Sequence, residues 1–211
     1  MTKRDAIVFL GAAGAGKDTA AWAVLREFRD ARNLKFAAAL KDICSLTFGW
    51  DRDALDYDLE YKESEAFYPD GSPCMVKGGE VQTRRQVLQS LGTDMFRQQI
   101  NENVWLQAAL AQVIEAEKED TADGIPLWVV TDARFKNEVE FLKQNFDRVR
   151  VIRLIREGAT QGTAASAHVS ERQSAEIEVD ATVSIADGEI MKLECMAVSH
   201  AHDFLVGRDA R

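Results

Sequence analysis

Ile7, Val8, Phe9 and Leu10 form an unbroken apolar run that stops at Gly11, and the seven residues from there read Gly11-Ala12-Ala13-Gly14-Ala15-Gly16-Lys17. An apolar run without polar alternation predicts a strand buried on both faces, as in a parallel sheet. Ala21, Val24, Leu25 and Phe28 then recur at i, i+3, i+4 and i+7, the spacing of a helix. A glycine-rich loop between such a strand and a helix can cradle phosphate. Its backbone approaches oxygen atoms closely, its N–H groups point inward, and the helix dipole favours negative charge. Lys17 adds a cation that can reach the β- and γ-phosphates. A plain tight turn is the alternative, and a lysine placed directly before a helix argues against it. Gly11, Gly14, Ala15, Gly16, Lys17, Asp18 and Thr19 are therefore the expected contacts to ATP.

The common form of this loop has Ser or Thr after the lysine to hold magnesium, whereas here Asp18 comes first and Thr19 second. A carboxylate at a helix N-terminus can ligate Mg²⁺ directly or through water, because hard cations accept carboxylate oxygens. In the other reading Asp18 caps the helix and Thr19 holds the metal. Both residues are thus candidate Mg²⁺ ligands.

Strand and helix alternate beyond the loop. A second strand is expected around Leu34 to Ala37, then a helix carrying Leu40, Ile43, Cys44 and Phe48. Between Asp51 and Glu65 there are seven acidic and two basic residues, and Asp70-Gly71 supplies a turn; this segment reads as an insertion outside the sheet, its charges on a solvated helix face. Two more helices follow, one with Leu88, Leu91 and Met95 and one with Leu106, Leu110, Val113 and Ile114, before a polar linker at Asp120 to Gly124. Leu127 to Val130, Val149 to Ile155 and Ala181 to Ala186 are further strands, and a long helix starting near Gly188 closes the chain. The fold class is α/β.

Leu127 to Val130 delivers Thr131 and Asp132 to the carboxyl end of a strand, where open α/β sheets place ligands. Asp132 suits a magnesium-bound water or the substrate, or else it caps the next helix. Arg134 suits bidentate phosphate recognition, and Asn137 and Glu138 follow it. Arg84, Arg85 and Arg97 can bring positive charge to an acceptor phosphate, and Trp105 can stack on a base. Each has a bland counterpart in a solvated surface or a core; their combination carries the reading. Arg153 and Arg156 lead into Gly158 to Ala167, a segment rich in small residues that reads as a mobile closing loop with arginines at its hinge. His168 to Glu171 reads as the far hinge. His200 and His202, two apart on a helix, do not make a metal pair.

The net charge of −9 argues against general nucleic-acid binding, which needs a basic footprint. No apolar run approaches a membrane span of about 18 residues. The opening residues are unlike a signal peptide. Cys44, Cys74 and Cys195 lack the pairing of a zinc or redox site. A cytoplasmic chain with reduced thiols is expected.

Taken together, Gly11 to Thr19 with its Gly-Lys-Asp-Thr ending, Arg85 to Arg97 with Leu88-Gln89 and Gly92-Thr93, Trp105, Thr131 to Glu138 and His168 to Glu171 resemble the deoxynucleoside monophosphate kinase family typical of tailed bacteriophages. The resemblance implies one P-loop kinase domain over residues 1–211. Its five-stranded parallel core would span 1–50 and 125–211, with a nucleotide-monophosphate-binding insertion at about 51–120 and a lid at about 157–170. It implies ATP-dependent phosphorylation of deoxynucleoside monophosphates with Mg²⁺ in the host cytoplasm. Lys17, Asp18, Arg134, Arg153 and Arg156 are the expected catalytic residues. Arg84, Arg85, Gln89, Arg97, Trp105, Asp132, Arg134, Asn137 and Glu138 are the expected substrate contacts. Ala186 departs from the family, where Asn is frequent. ATP and a dNMP are the expected partners, and a homodimer is left open. A dephospho-coenzyme A kinase and a nucleotide-binding regulatory protein without turnover are the rival readings.

Overall fold

The computed structural model describes residues 4–119, 126–157 and 176–207. The apolar run opening the chain is strand β1 (Asp5–Leu10), buried along its whole length. Full burial on both faces requires a central position. The sheet runs β2 (Ala31–Leu34), β5 (Leu127–Val130), β1, β6 (Arg148–Arg156), β7 (Ala181–Ile185), all parallel. The five-stranded parallel sheet expected from sequence is present, and the phosphate-loop sequence leaves its middle strand. The second strand lies three residues earlier than expected, because Ala31 to Leu34 pair with Leu127 to Val130 and the pairing stops before Phe36.

Side chains alternate across the sheet. On one face, Ile7, Phe9, Val129, Ile152 and Val183 share a core with Ala20, Ala21 and Val24 of α1 (Lys17–Glu27) and with Leu193, Ala197 and Ala201 of the last helix, Ile190–Val206, called α8. Small residues where α1 meets α8 let the two helices approach closely. Ala6, Val8 and Leu10 are buried on the other face, where α7 (Lys136–Asn145) packs on β6 and buries Val139 and Leu142. Arg148 and the nearly buried Asp5 form an ion pair at 2.6 Å.

The chain divides into two compact units, Met1–Lys35 with Val113–Arg211, and Phe36–Gln112. The sheet belongs to the first. The second contains α2 (Ala38–Phe48), α3 (Ala54–Tyr57), α4 (Leu59–Glu63), the hairpin β3 (Val76–Lys77) and β4 (Glu80–Val81), and α5 (Arg84–Gln89). Helix α6 (Val104–Glu119) starts in the second unit and ends in the first. The insertion expected at about 51–120 corresponds to a unit that begins earlier and ends sooner.

The core of the second unit is Leu40, Cys44, Phe48, Trp50, Leu55, Ala66, Val87 and Trp105. Between α5 and α6 the chain winds as a π-helix over Ser90–Ile100, where the sequence suggested an α-helix carrying Leu88, Leu91 and Met95. A Cβ on Gly92 would meet Leu40 Cδ2 at 2.7 Å, and the Gly92 carbonyl accepts a hydrogen bond from Trp105 Nε1 at 2.9 Å. Close packing and a side-chain partner hold the wider winding at that point. The altered period also leaves Met95 45% exposed rather than on a core face.

Candidate active site

The loop from Gly11 to Gly16 joins β1 to α1, so the first helical N–H groups stand at the carboxyl edge of the sheet, beside its central strand. Glycine is required at both ends of this loop. A Cβ at Gly11 would lie 2.7 Å from the Leu154 carbonyl oxygen. Gly16 caps α1 in a left-handed conformation, φ 89°, and its Cβ would meet Leu193 Cδ2 at 2.5 Å. Lys17 Nζ donates to the carbonyl oxygens of Gly11 and Ala12, 2.8 Å each, so its ammonium lies over the loop it is expected to serve.

Asp18 is not the helix cap; Gly16 is, and no side chain caps it. The Asp18 side chain is 70% exposed. Its Oδ1 accepts a hydrogen bond from Thr131 Oγ1 at 3.0 Å and lies 4.0 Å from Lys35 Nζ. Thr19 is half-buried one residue on. The hydroxyl and carboxylate oxygens here are hard donors and suit Mg²⁺, which keeps several waters and phosphate oxygens and needs few protein ligands. Lys35 was not among the residues singled out from sequence, and Thr131 was named there only as part of the block at the end of its strand, with no role of its own. Their signal was present, since each directly follows a strand that ends at the ligand-binding edge.

Arg156 ends β6 and reaches back to the same loop. Its guanidinium donates to the Gly14 carbonyl at 3.2 Å and pairs with Asp187. Arg153 donates to the Ile177 carbonyl at 2.9 Å, which ties β6 to the segment preceding β7. The closing loop expected at about 157–170 and its hinge at His168 to Glu171 fall, beyond Glu157, outside the described residues.

The turn from Thr131 to Phe135 presents Arg134. Helix α7 begins at Lys136 with Phe135 as its N-cap, so Asp132 does not cap it. Asp132 and Asn137 are half-buried near the turn, while the Arg134 side chain is exposed and its guanidinium makes no hydrogen bond or ion pair among the described residues. Glu138 lies behind the turn. It is 2% exposed, and its Oε2 accepts from the backbone N–H groups of Arg134 at 2.6 Å and Phe135 at 3.0 Å. A carboxylate engaged in this way shapes the turn behind Arg134.

In the cationic segment of the second unit, several expected residues have partners within that unit. Trp105 is 5% exposed, packs against Phe96 with ring centroids 4.9 Å apart, and donates to Gly92; it is a core residue and offers no face to a base. Arg84 lies over the rings of Tyr61 and Trp50, at 4.1 and 5.6 Å, and its Nη1 donates to Ser64 Oγ at 2.5 Å and the Glu65 carbonyl at 3.0 Å. Those contacts tether it within the unit. Arg85 pairs with Glu63 and retains about a third of its side-chain exposure (36%). Gln89 is exposed at the end of α5, and Arg97 is half-buried in the π-helix.

Among the described residues no helix is long and apolar enough to cross a membrane. A model of the deoxynucleotide monophosphate kinase family matches residues 74–196. No curated protein sequence matches the chain significantly. Solved structures similar to it include an unliganded sugar kinase from Janibacter sp. HTCC2649, 14% identical, covering 96% of this chain and 94% of that one with a TM-score of 0.42. A gluconokinase from Sinorhizobium meliloti 1021 is 12% identical over 99% of both chains with a TM-score of 0.39.

Proposed function

Because the chain belongs to the deoxynucleotide monophosphate kinase family, we propose that it transfers the terminal phosphoryl group of ATP to a deoxynucleoside monophosphate, giving ADP and the diphosphate. The observation that carries this reading is the convergence at one sheet edge of a glycine loop closed by Lys17 and touched by Arg156, a carboxylate on Asp18, and the open guanidinium of Arg134.

In the proposed reaction an oxygen of the acceptor phosphate bonds to the γ-phosphorus as the β–γ bridging bond breaks, and ADP leaves with that electron pair. The acceptor oxygen is already anionic, so no strong general base is needed. Positioning and charge stabilisation do most of the work. The loop amides and the α1 dipole hold the β- and γ-phosphates. Lys17 exchanges its loop carbonyls for phosphate oxygens, and Arg156 stabilises charge spreading over the transferred group. Arg134, on a turn braced by Glu138, receives the acceptor phosphate, with Asp132 and Asn137 beside it. Magnesium, when bound through Asp18 and Thr19, would neutralise phosphate charge. Arg85, Gln89 and Arg97 remain the acceptor contacts proposed for the second unit, and Arg153 fixes the strand from which Arg156 extends.

An acceptor panel tests the proposal. ADP release is measured with Mg-ATP and each dNMP, each NMP and dephospho-coenzyme A, with Lys17→Ala as control. Turnover of one or more dNMPs that is lost in the control is expected. Turnover of dephospho-coenzyme A alone, or nucleotide binding without any turnover, would overturn it.

A further inference from the structure

Leu34 of β2 and Val130 of β5 are register partners in the sheet. The residues that follow them, Lys35 and Thr131, therefore leave adjacent strands at the same level of the carboxyl edge. Both approach one oxygen of Asp18. Thr131, 3% exposed, donates its hydroxyl hydrogen to Oδ1 at 3.0 Å, and Lys35 Nζ lies 4.0 Å from the same atom. The Lys35 side chain is only 15% exposed, which limits where its ammonium can go. Oδ2 has no hydrogen-bond partner among the described residues. The carboxylate is thus held by one oxygen and open at the other.

Stability does not account for this arrangement. With Asp18 70% exposed, an ion pair at 4.0 Å contributes little to folding. A functional need does account for it. A carboxylate beside a polyphosphate is repelled unless a cation offsets its charge, and the nearest lysine in sequence, Lys17, is directed at the loop carbonyls. From this we infer that Lys35 is a positioning residue: with Thr131 it orients Asp18 and offsets its charge, so that Oδ2 faces Mg-ATP. The inference rests on the reading of Asp18 given above, and it assigns a role to Lys35 that the phosphate-loop pattern does not contain. Lys35 acts through Asp18 and is not itself given a contact to the reacting atoms.

A double-mutant cycle on nucleotide binding tests it. ATP affinity is measured by calorimetry with Mg²⁺ and with EDTA for the wild type, K35M, D18N and the double variant, together with the urea midpoint of each. K35M is expected to weaken Mg-ATP binding about 10–100-fold, the usual range for the partner of a metal-binding group. It should have little further effect in the D18N background. T131V, nearly isosteric, should show the same dependence on Asp18 and provides the measurement should K35M fold poorly. Equal losses from K35M or T131V in the wild-type and D18N backgrounds, or no loss at all, would remove Lys35 from this role. A wild type that does not bind Mg-ATP would sink the kinase reading and this inference with it, whereas normal wild-type binding with an indifferent K35M sinks only the inference.

Discussion

Two arginine-bearing stretches of this chain look alike in sequence and differ in what their guanidinium groups touch. In the sheet unit, Arg134 and Arg156 stand at the carboxyl edge, one open and one resting on the glycine loop through the Gly14 carbonyl. In the second unit, Arg84 lies over Tyr61 and Trp50 and hydrogen-bonds to Ser64 and Glu65, while Arg85 pairs with Glu63. The difference follows from context. A residue at the end of a parallel strand has nowhere to go but the ligand-binding edge. A residue on a short helix can turn toward its own unit, where aromatic faces and carbonyl groups compete for its charge.

The largest expected effect separates the two regions most directly. Trp105→Ala should cost about 3–5 kcal/mol of stability, the range for removing a large core aromatic, read as a lower urea midpoint of the free protein. An unchanged midpoint with lost nucleotide affinity would restore Trp105 to the substrate and erase the contrast. Lys17→Ala should do the reverse. Its ammonium rests on loop carbonyls at the sheet edge and fills no core position, so the midpoint should hold while kcat for phosphoryl transfer falls on the order of 10²–10³-fold.

Arg134→Gln sharpens the comparison further. Loss of charge-assisted contacts worth roughly 1.5–3 kcal/mol predicts a fall in kcat/KM on the order of 10–100-fold with unchanged stability. The same substitution at Arg84 should lower stability first, and an Arg84→Gln variant as stable as wild type would show that its ring and carbonyl contacts are incidental. The smallest effect concerns the thiols. Burial pushes the Cys44 thiol up to about 12, while Cys195 is exposed. Alkylation at mildly alkaline pH should therefore label Cys195 and spare Cys44, as read by mass spectrometry. Since folding favours the protonated Cys44 thiol, its contribution is intact below the ordinary thiol range and is lost as pH rises toward about 12. Ready labelling of Cys44 in the native protein would mean that the core around Trp50 and Leu55 opens easily.

The sheet was legible because its signals are local and redundant. The apolar runs at 7–10 and 127–130 are fully buried, the β-branched-rich stretch at 149–155 buries Val151, Ile152 and Leu154, and the glycines at 11 and 16 sit where a Cβ would strike Leu154 or Leu193. The π-helix over Ser90–Ile100 was not legible, because the Gly92 carbonyl finds its partner in Trp105, thirteen residues later. The turn at Thr131 to Phe135 lies between these cases. The sequence marked Glu138 as a residue of the site, and only the structure shows that it is buried and bound to two backbone donors.

By itself the sequence determined a parallel α/β sheet with a phosphate cradle on its first strand, since hydrophobic periodicity and glycine placement act over a few residues. The tertiary structure decided which polar side chains remain available to a ligand. Hydrogen bonds and ring contacts form between residues far apart along the chain, as when Thr131 and Lys35 meet Asp18, and spacing in one dimension does not encode that competition.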